Sequence, residues 1–342
     1  MPLPAPRFAP APFIPRRRLR GGHVQTIMGN FMRRENLLPP GELRRFRVAE
    51  NAEVACSCHW KTHRTSAMTV VIVHGLEGSI DSNYVIGAAS KAWARGMNVV
   101  RMNMRNCGGT ETLTSTLYHS GLSADVAALT RILLQEDGLE KIALVGFSMG
   151  GNLVLKCAGE YADHAPPQII AIAAVSAAMD LGPSAAALHH PRNRLYELKF
   201  MHGLRRRYNQ KRALFPDIYS KMRLRRFASI WEFDEYVTAR YHGFAGADDY
   251  YTRASAARVI ADIQIPTLII HSLDDPFIRV TEATRAKALA NPHITYLETA
   301  HGGHCAFLAE DAIGYDGRWA EKTVIDFVES LTRGGQRLAS SC

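Results

Sequence analysis

The sequence lacks any apolar run near the roughly 20 residues that a membrane-spanning helix needs. Cysteine is sparse: six in 342 residues, at Cys56, Cys58, Cys107, Cys157, Cys305 and Cys342. None shows the paired C-x-x-C spacing of a zinc site. Scattered thiols fit a reducing compartment better than a disulfide framework, so the expected location is cytoplasmic. Met1 to Pro15 is rich in Pro and Ala and has no apolar core of a secretory leader. Arg16, Arg17, Arg18 and Arg20 follow, read as a solvated arm. There is no internal repeat and no long low-complexity tract. No Gly-Lys-Ser/Thr follows Gly108-Gly109, which excludes a phosphate loop. His189-His190 and the other histidines lack the helical spacing of metal ligands. A site without metal or cofactor is expected.

What is present is apolar residues in regular order. With 47% hydrophobic residues the chain can bury a large core. That suits one α/β domain with an insertion, or two domains. The net charge of +9 is concentrated. Between Arg192 and Arg226 stand twelve lysines and arginines against two acids, a net +10. Such a patch suits a solvated helical face, an anionic substrate or peripheral contact with an anionic lipid surface. No nucleic-acid motif accompanies it, so nucleic acid is not an expected partner.

Strand and helix signals alternate. Residues 43–60 read as two short strands, and Thr69 to Val73 as a buried one. A helix from Asn83 to Arg95, closed by Gly96, precedes a strand from Asn98 to Met104. A helix from Leu122 to Leu134 leads to the strand Lys141–Val145, the helix Asn152–Tyr161 and the strand Ile169–Val175. From about Gly182 to Arg258 the chain turns basic, aromatic and helix-like. Thr267–His271 restores the strand pattern, followed by helix 281–290, strand 294–297 and a closing helix, Trp319–Leu331. This alternation predicts a mostly parallel, doubly wound sheet flanked by helices, an α/β class fold. The expected layout is an arm over 1–40, a core over 41–181 and 259–335, a helical cap insertion over 182–258, and a tail over 336–342. In such sheets sites form at the carboxyl ends of strands.

Gly146-Phe147-Ser148-Met149-Gly150 lies at one such end, between a strand and a helix. Gly-x-Ser-x-Gly in that setting is a nucleophile elbow. The sharp turn leaves no room for flanking side chains and sets Ser148 at a helix N-terminus, where negative charge is favoured. A serine hydroxyl needs a base, and the base an orienting carboxylate. The expected chain order is Ser, then Asp or Glu, then His. Asp274 and Asp275 follow strand 267–271, and His301 and His304 follow the last strand. Asp275 is the preferred carboxylate because it sits where the acid falls in Gly-x-x-Asp turns, Ser272 replacing the glycine. His304 is preferred because Gly302-Gly303 let the loop approach the serine. Asp274 and His301 are then turn or supporting residues. Acyl transfer needs backbone N–H donors at its oxyanion. One should come from Met149 and the other from Leu76, in the turn His74-Gly75-Leu76-Glu77-Gly78-Ser79. His74 precedes the serine in a strand-end turn and reads as structural. His119 and Asp125 miss the His-x-x-x-x-Asp spacing of acyltransferases and read as capping residues. Cys107 reads as a loop filler.

These motifs together resemble one branch of the α/β-hydrolase superfamily, the YheT-type esterases of bacteria with the related EMB8-like and ABHD lipases. The resemblance runs from about Gly22 to Leu331 and rests on Gly22-His23-Val24-Gln25-Thr26, His74 to Gly78, Asn103 to Gly109, Gly146 to Asn152, Glu232-Phe233-Asp234, Asp249-Tyr250-Tyr251, Asp274 to Phe277 and Gly302-Gly303-His304. It implies a serine hydrolase of carboxylic esters, from short- or medium-chain acyl esters to lipid esters, with Ser148, Asp275 and His304 as the triad. Asn106 departs from the glycine usual after the arginine, which implies a differently shaped loop. A thioesterase or amidase would use the same machinery. A non-catalytic lipid-binding protein on the same fold is the alternative of another class.

Overall fold

The computed structural model describes residues 8–32, 34–221 and 227–339. Arg223, Arg225 and Arg226 of the basic segment, and Cys342, lie outside the described residues. Eight strands form one sheet: β1 (Glu42–Ala49), β2 (Ala52–His59), β3 (Thr69–Val73), β4 (Asn98–Met102), β5 (Ile142–Phe147), β6 (Ile169–Val175), β7 (Thr267–Ser272) and β8 (Ile294–Thr299). Their spatial order is β1-β2-β4-β3-β5-β6-β7-β8. β2 pairs antiparallel with β1 and with β4, and the remaining pairs are parallel. The helices are α1 (Gly22–Phe31), α2 (Asn83–Ala94), α3 (Ser123–Gln135), α4 (Met149–Tyr161), α5 (Leu181–His189), α6 (Arg194–Leu214), α7 (Ile230–Phe233), α8 (Arg240–His242), α9 (Ala247–Ala254), α10 (Glu282–Ala290) and α11 (Trp319–Ala339).

Neighbouring residues of a strand face opposite sides of its sheet. Val71, Val73, Leu144, Ile172 and Ile269 pack with Leu129 and Leu133 of α3 and Leu153 of α4. Val70, Ile72, Val145, Ala173 and Ile270 pack with Val85 and Ala89 of α2 and Val324 and Phe327 of α11. Both faces are covered, so β3 reads Thr-Val-Val-Ile-Val with no polar alternation. β3 is flanked by β4 on one side and β5 on the other, so the chain changes direction across the sheet there. Loops leave the carboxyl ends of β3 and β5 side by side, and a crevice forms between them.

Between β6 and β7 the chain runs through α5 to α9, with a π-helical stretch over Asp234–Ala239. A third apolar cluster joins these helices to loops of the sheet: Met201, Tyr208, Phe233 and Tyr250 meet Leu117, Ala178 and Phe277. Among the described residues no helix is long and apolar enough to cross a membrane.

Three expectations need correction. The closing helix, α11, continues past Leu331 to Ala339. The described part of the segment before β1 docks on the rest of the chain, although Arg17, Arg18 and Arg20 stay exposed as a solvated stretch would. Pro15 bridges Ala309, Arg16 pairs with Asp311 at 2.9 Å, and Gly22–Phe31 forms α1. Gln25 of α1 is fully buried, donating to Leu308 O at 3.1 Å and accepting from Leu308 N at 2.7 Å. β4 also stops at Met102 rather than Met104, because its pairing with β3 ends at Val73 and with β2 at Cys56.

Candidate active site

β5 ends at Phe147 and α4 begins at Met149, which leaves Ser148 alone to make the turn. Its backbone sits at φ 55°, ψ −119°, a strained region for a residue with a side chain. The flanking glycines are sterically required. A Cβ on Gly146 would lie 2.2 Å from Gly150 O, and one on Gly150 would lie 2.3 Å from Val73 O. The hydroxyl stands at the N-terminus of α4, where the helix dipole favours negative charge.

The loop after β8 delivers His304. Its Nε2 lies 3.0 Å from Ser148 Oγ and its Nδ1 lies 2.8 Å from Asp275 Oδ2. The loop gets there through Gly303 at φ 59°, where a Cβ would come within 2.5 Å of Gly22 O. His304 N donates to Thr26 Oγ1 of α1 at 2.9 Å, and Phe277 packs against the imidazole with ring centroids 4.4 Å apart. Asp275 is buried, and its Oδ1 accepts from Phe277 N and Ile278 N at 3.1 and 2.9 Å. Burial pushes its pKa up, but the charge and hydrogen bond of His304 and the two amides outweigh this and hold it below the ordinary carboxylate value. Burial alone would lower His304. The neighbouring Cys305 sulfur and the Asp275 carboxylate reverse this and raise it above 6.5.

The other acid and imidazole form a separate pair. Asp274 Oδ2 lies 3.2 Å from His301 Nδ1, while its Oδ1 accepts from Ser272 Oγ at 2.5 Å and Gly303 N at 2.9 Å. The pair ties the end of β7 to the His304 loop and does not reach Ser148.

Leu76 and Met149 both flank Ser148. A Cβ on Gly75 would lie 3.0 Å from Ser148 Cβ, so the loop after β3 abuts the serine. The neighbouring amides are occupied: Gly75 N donates to Tyr84 Oη at 2.9 Å and Glu77 N to Tyr118 Oη at 3.1 Å. Among the described residues the Leu76 and Met149 N–H groups have no acceptor. His74 is fully buried and pushed by burial to about 4. It is therefore neutral, with Nδ1–H donating to Gly75 O at 2.8 Å and Nε2 accepting from Met104 N at 3.1 Å.

Two spaces meet at Ser148. One, about 110 Å³ in volume, is apolar and lined by Leu76, Leu181, Leu188, Leu204, Phe233 and Phe277 among others. The other, about 320 Å³, is more polar and runs between α1 and α6 past Thr26, Asn30, Tyr196, Lys199 and His304. Among the described residues no three His, Cys, Asp or Glu side chains converge as a metal site.

Other candidates take different places. Asp125 does not cap α3. The Arg105 side chain reaches it from the loop after β4 and donates through Nε and Nη2 at 2.7 and 2.5 Å. Cys107 is buried and its thiol is pushed up to about 12, mainly by burial, so it is inert at neutral pH. Asn106 adopts φ 63°, the left-handed conformation that glycine favours and asparagine tolerates. Of the basic segment, Arg207 and Lys211 turn inward. Arg207 pairs with Glu77 at 2.6 Å, and Lys211 donates to the carbonyls of Glu111 and Thr114. Sequence reasoning missed Glu77, Tyr118, Arg207 and Thr26. Thr26 and Glu77 lie inside the Gly22–Thr26 and His74–Gly78 motifs, the one signal the sequence offered for them. The cluster around Glu77 draws on three distant segments.

A parallel-dominated sheet with a serine elbow after its central strand defines an α/β hydrolase. A family model described as the alpha/beta hydrolase fold matches residues 69–311. The Escherichia coli (strain K12) protein YheT, provisionally named an esterase, is 31% identical over 323 residues, covering 93% of this chain and 93% of its own. The Mus musculus phospholipase ABHD3 is 26% identical, over 92% of this chain and 78% of its own. The Danio rerio monoacylglycerol lipase ABHD2 is 23% identical, over 91% and 76%. The solved Est1E of Butyrivibrio proteoclasticus shares the fold with a TM-score of 0.54 at 14% identity, over 86% of this chain and 99% of that one. The chain belongs to the α/β-hydrolase family, with relatives named as esterases and lipases.

Proposed function

We propose that this protein hydrolyses carboxylic esters through an acyl-Ser148 intermediate. The observation that carries the reading is the continuous path from Ser148 Oγ to His304 at 3.0 Å and on to Asp275 at 2.8 Å. Ser148 Oγ attacks the ester carbonyl carbon as His304 Nε2 takes its proton. Asp275 holds the imidazole with Nδ1–H toward itself and stabilises the imidazolium. The oxyanion accepts from Leu76 N and Met149 N, which are free to donate. Collapse expels the alcohol, which takes the proton from His304 Nε2. Water then gives a proton to the same nitrogen and attacks the acyl carbon. The second collapse returns the proton to Ser148 Oγ and frees the acid.

The acyl group occupies the apolar space and the alcohol the polar one. An apolar cavity of about 150 Å³ takes a benzene-sized guest, so a space of about 110 Å³ favours short acyl chains. The decisive experiment is a 4-nitrophenyl ester chain-length series on wild type and Ser148→Ala. Loss of at least a thousandfold in kcat supports the reading, and retained activity overturns it.

A contact with anionic lipid surfaces is part of the proposal. Arg192, Arg194 and Lys199 are exposed beside Leu195, itself 82% exposed. Across the polar cleft α1 exposes Val24, Ile27 and Phe31 at helical spacing. The two helices meet where His23 stacks on Tyr196, ring centroids 5.7 Å apart. Cations around an apolar rim suit an anionic membrane interface.

A further inference from the structure

Glu77 follows Leu76 and adopts φ 58°, which a side-chain-bearing residue keeps only where its surroundings enforce it. The enforcing contacts form a closed ring. Glu77 N–H donates to Tyr118 Oη at 3.1 Å, and the Tyr118 O–H donates back to Glu77 Oε1 at 2.7 Å. The same oxygen accepts from Arg207 Nε at 2.6 Å. Arg207 belongs to α6, and its Nη1 also donates to the carbonyl of Asn106, in the loop after β4. Arg207 and Glu77 are nearly enclosed, with side chains 6% and 13% exposed.

α6 is shaped for this contact. Gly203, in the middle of a 21-residue helix, faces the Glu77 carboxylate, and a Cβ there would lie 2.1 Å from Oε2. Glycine weakens a helix interior relative to alanine. Here its missing side chain lets the carboxylate reach the helix surface. The insertion between β6 and β7 is thus fastened to the turn that carries Leu76.

We propose that Glu77 and Arg207 are positioning residues for ester hydrolysis: with Tyr118 they fix the Leu76–Glu77 turn, aim the Leu76 N–H at the oxyanion, and do so only while α6 is seated. The inference rests on the reading of Ser148 as nucleophile and Leu76 as oxyanion donor. A donor displaced by a fraction of an ångström costs transition-state stabilisation while ground-state binding is largely kept. The pair therefore acts on kcat.

The test measures kcat, KM and the thermal midpoint of the full chain with 4-nitrophenyl butyrate. Glu77→Gln and Arg207→Met are each expected to lower kcat about 10- to 100-fold. KM should stay within about threefold, because the substrate still binds. The double variant should be no slower than the worse single, because both changes act on the same Glu77 carboxylate. Arg207→Lys keeps the charge without the fork and should recover part of the loss. Folded variants with wild-type kcat, a loss confined to KM, or single losses that multiply in the double would overturn the proposal. Should Glu77→Gln and Arg207→Met fail to fold, Tyr118→Phe decides: a several-fold fall in kcat at wild-type midpoint supports it, and unchanged kcat overturns it. Ser148→Ala separates the layers. An active Ser148→Ala sinks the reading of the site; an inactive one beside fully active Glu77→Gln and Arg207→Met sinks only the positioning role.

Discussion

Asp274 and Asp275 are adjacent in the chain yet serve different histidines: Asp274 reaches His301 at 3.2 Å and Asp275 reaches His304 at 2.8 Å. The separation comes from the turn after β7, where Asp275 folds back to accept its own downstream amides while Asp274 faces the loop after β8.

Substituting the two acids should therefore give opposite profiles. Asp275→Asn removes the charge that holds the imidazole, and kcat should fall by roughly 10³- to 10⁴-fold. Asp274→Asn should leave kcat within about tenfold and cost about 1–2 kcal/mol of stability, because it weakens acceptors for Ser272 and Gly303. Steady-state kinetics and thermal melts of both variants would check this. Equal kinetic losses would contradict the separation of the pairs.

With His304 as the proposed base, a pH profile follows. Its pKa is raised above 6.5, and a general base works only when unprotonated. kcat/KM should therefore climb as pH rises, with its acid limb centred above 6.5. Burial pushes His59, His74 and His242 to about 4, so they stay neutral through that range. In Asp275→Asn the carboxylate that raises His304 is gone, and the limb should move to lower pH. A limb that stays fixed in Asp275→Asn would assign it to another group.

The apolar space sets the next expectation. Ala185 lines it. Ala185→Phe adds a ring to a volume of about 110 Å³ and should shift preference toward acetate esters. One methylene in such a pocket is worth about 1–3 kcal/mol, or 10- to 200-fold. The butyrate-to-acetate ratio of kcat/KM should fall by at least tenfold, with Ser148 still labelled by a small fluorophosphonate. An unchanged ratio would put the acyl chain elsewhere.

The sheet was legible because β3, β5, β6 and β7 are buried on both faces, so each reads as a short β-branched or apolar run bounded by turn residues. The elbow, the acid and the histidine were legible because each sits at a strand's carboxyl end, where glycine spacing betrays close backbone approach. Gly146, Gly150 and Gly303 all meet backbone oxygens at distances no side chain permits. The rest depends on contacts between distant segments. Arg207 reads as one cation in a basic stretch until α6 sets it against Glu77. Asp125 reads as a cap until Arg105 arrives from another loop. Asn106 reads as a departure from glycine, yet its φ of 63° keeps the backbone that glycine would take.

The membrane contact makes a salt-dependent prediction. Binding should favour vesicles rich in phosphatidylserine over phosphatidylcholine and weaken as salt rises, because exposed charges are screened. Leu195→Ser with Phe31→Ser should weaken binding to the anionic vesicles while leaving hydrolysis of a soluble butyrate ester within about twofold, since both side chains point to solvent. Flotation of wild type and variant at two salt concentrations would check both points. Equal binding to neutral vesicles, or none to anionic ones, would remove the interface from the proposal.

α1 offers the last test. Thr26 Oγ1 accepts from His304 N at 2.9 Å and donates to Gly22 O at 2.7 Å, so one hydroxyl links the helix to the backbone of His304, the proposed base. Thr26→Val keeps the shape but leaves His304 N–H without its acceptor, a loss of about 1–3 kcal/mol. Part of that should appear as a freer imidazole. kcat should fall about tenfold, since small misplacements of a catalytic group are costly, and the thermal midpoint should drop by a few degrees. Thr26→Ser restores the hydroxyl and should recover kcat. If Thr26→Val lowers the midpoint but not kcat, α1 stabilises the fold without holding the base in register. If Thr26→Ser is as slow as Thr26→Val, the lost methyl packing rather than the hydrogen bond is what His304 depends on.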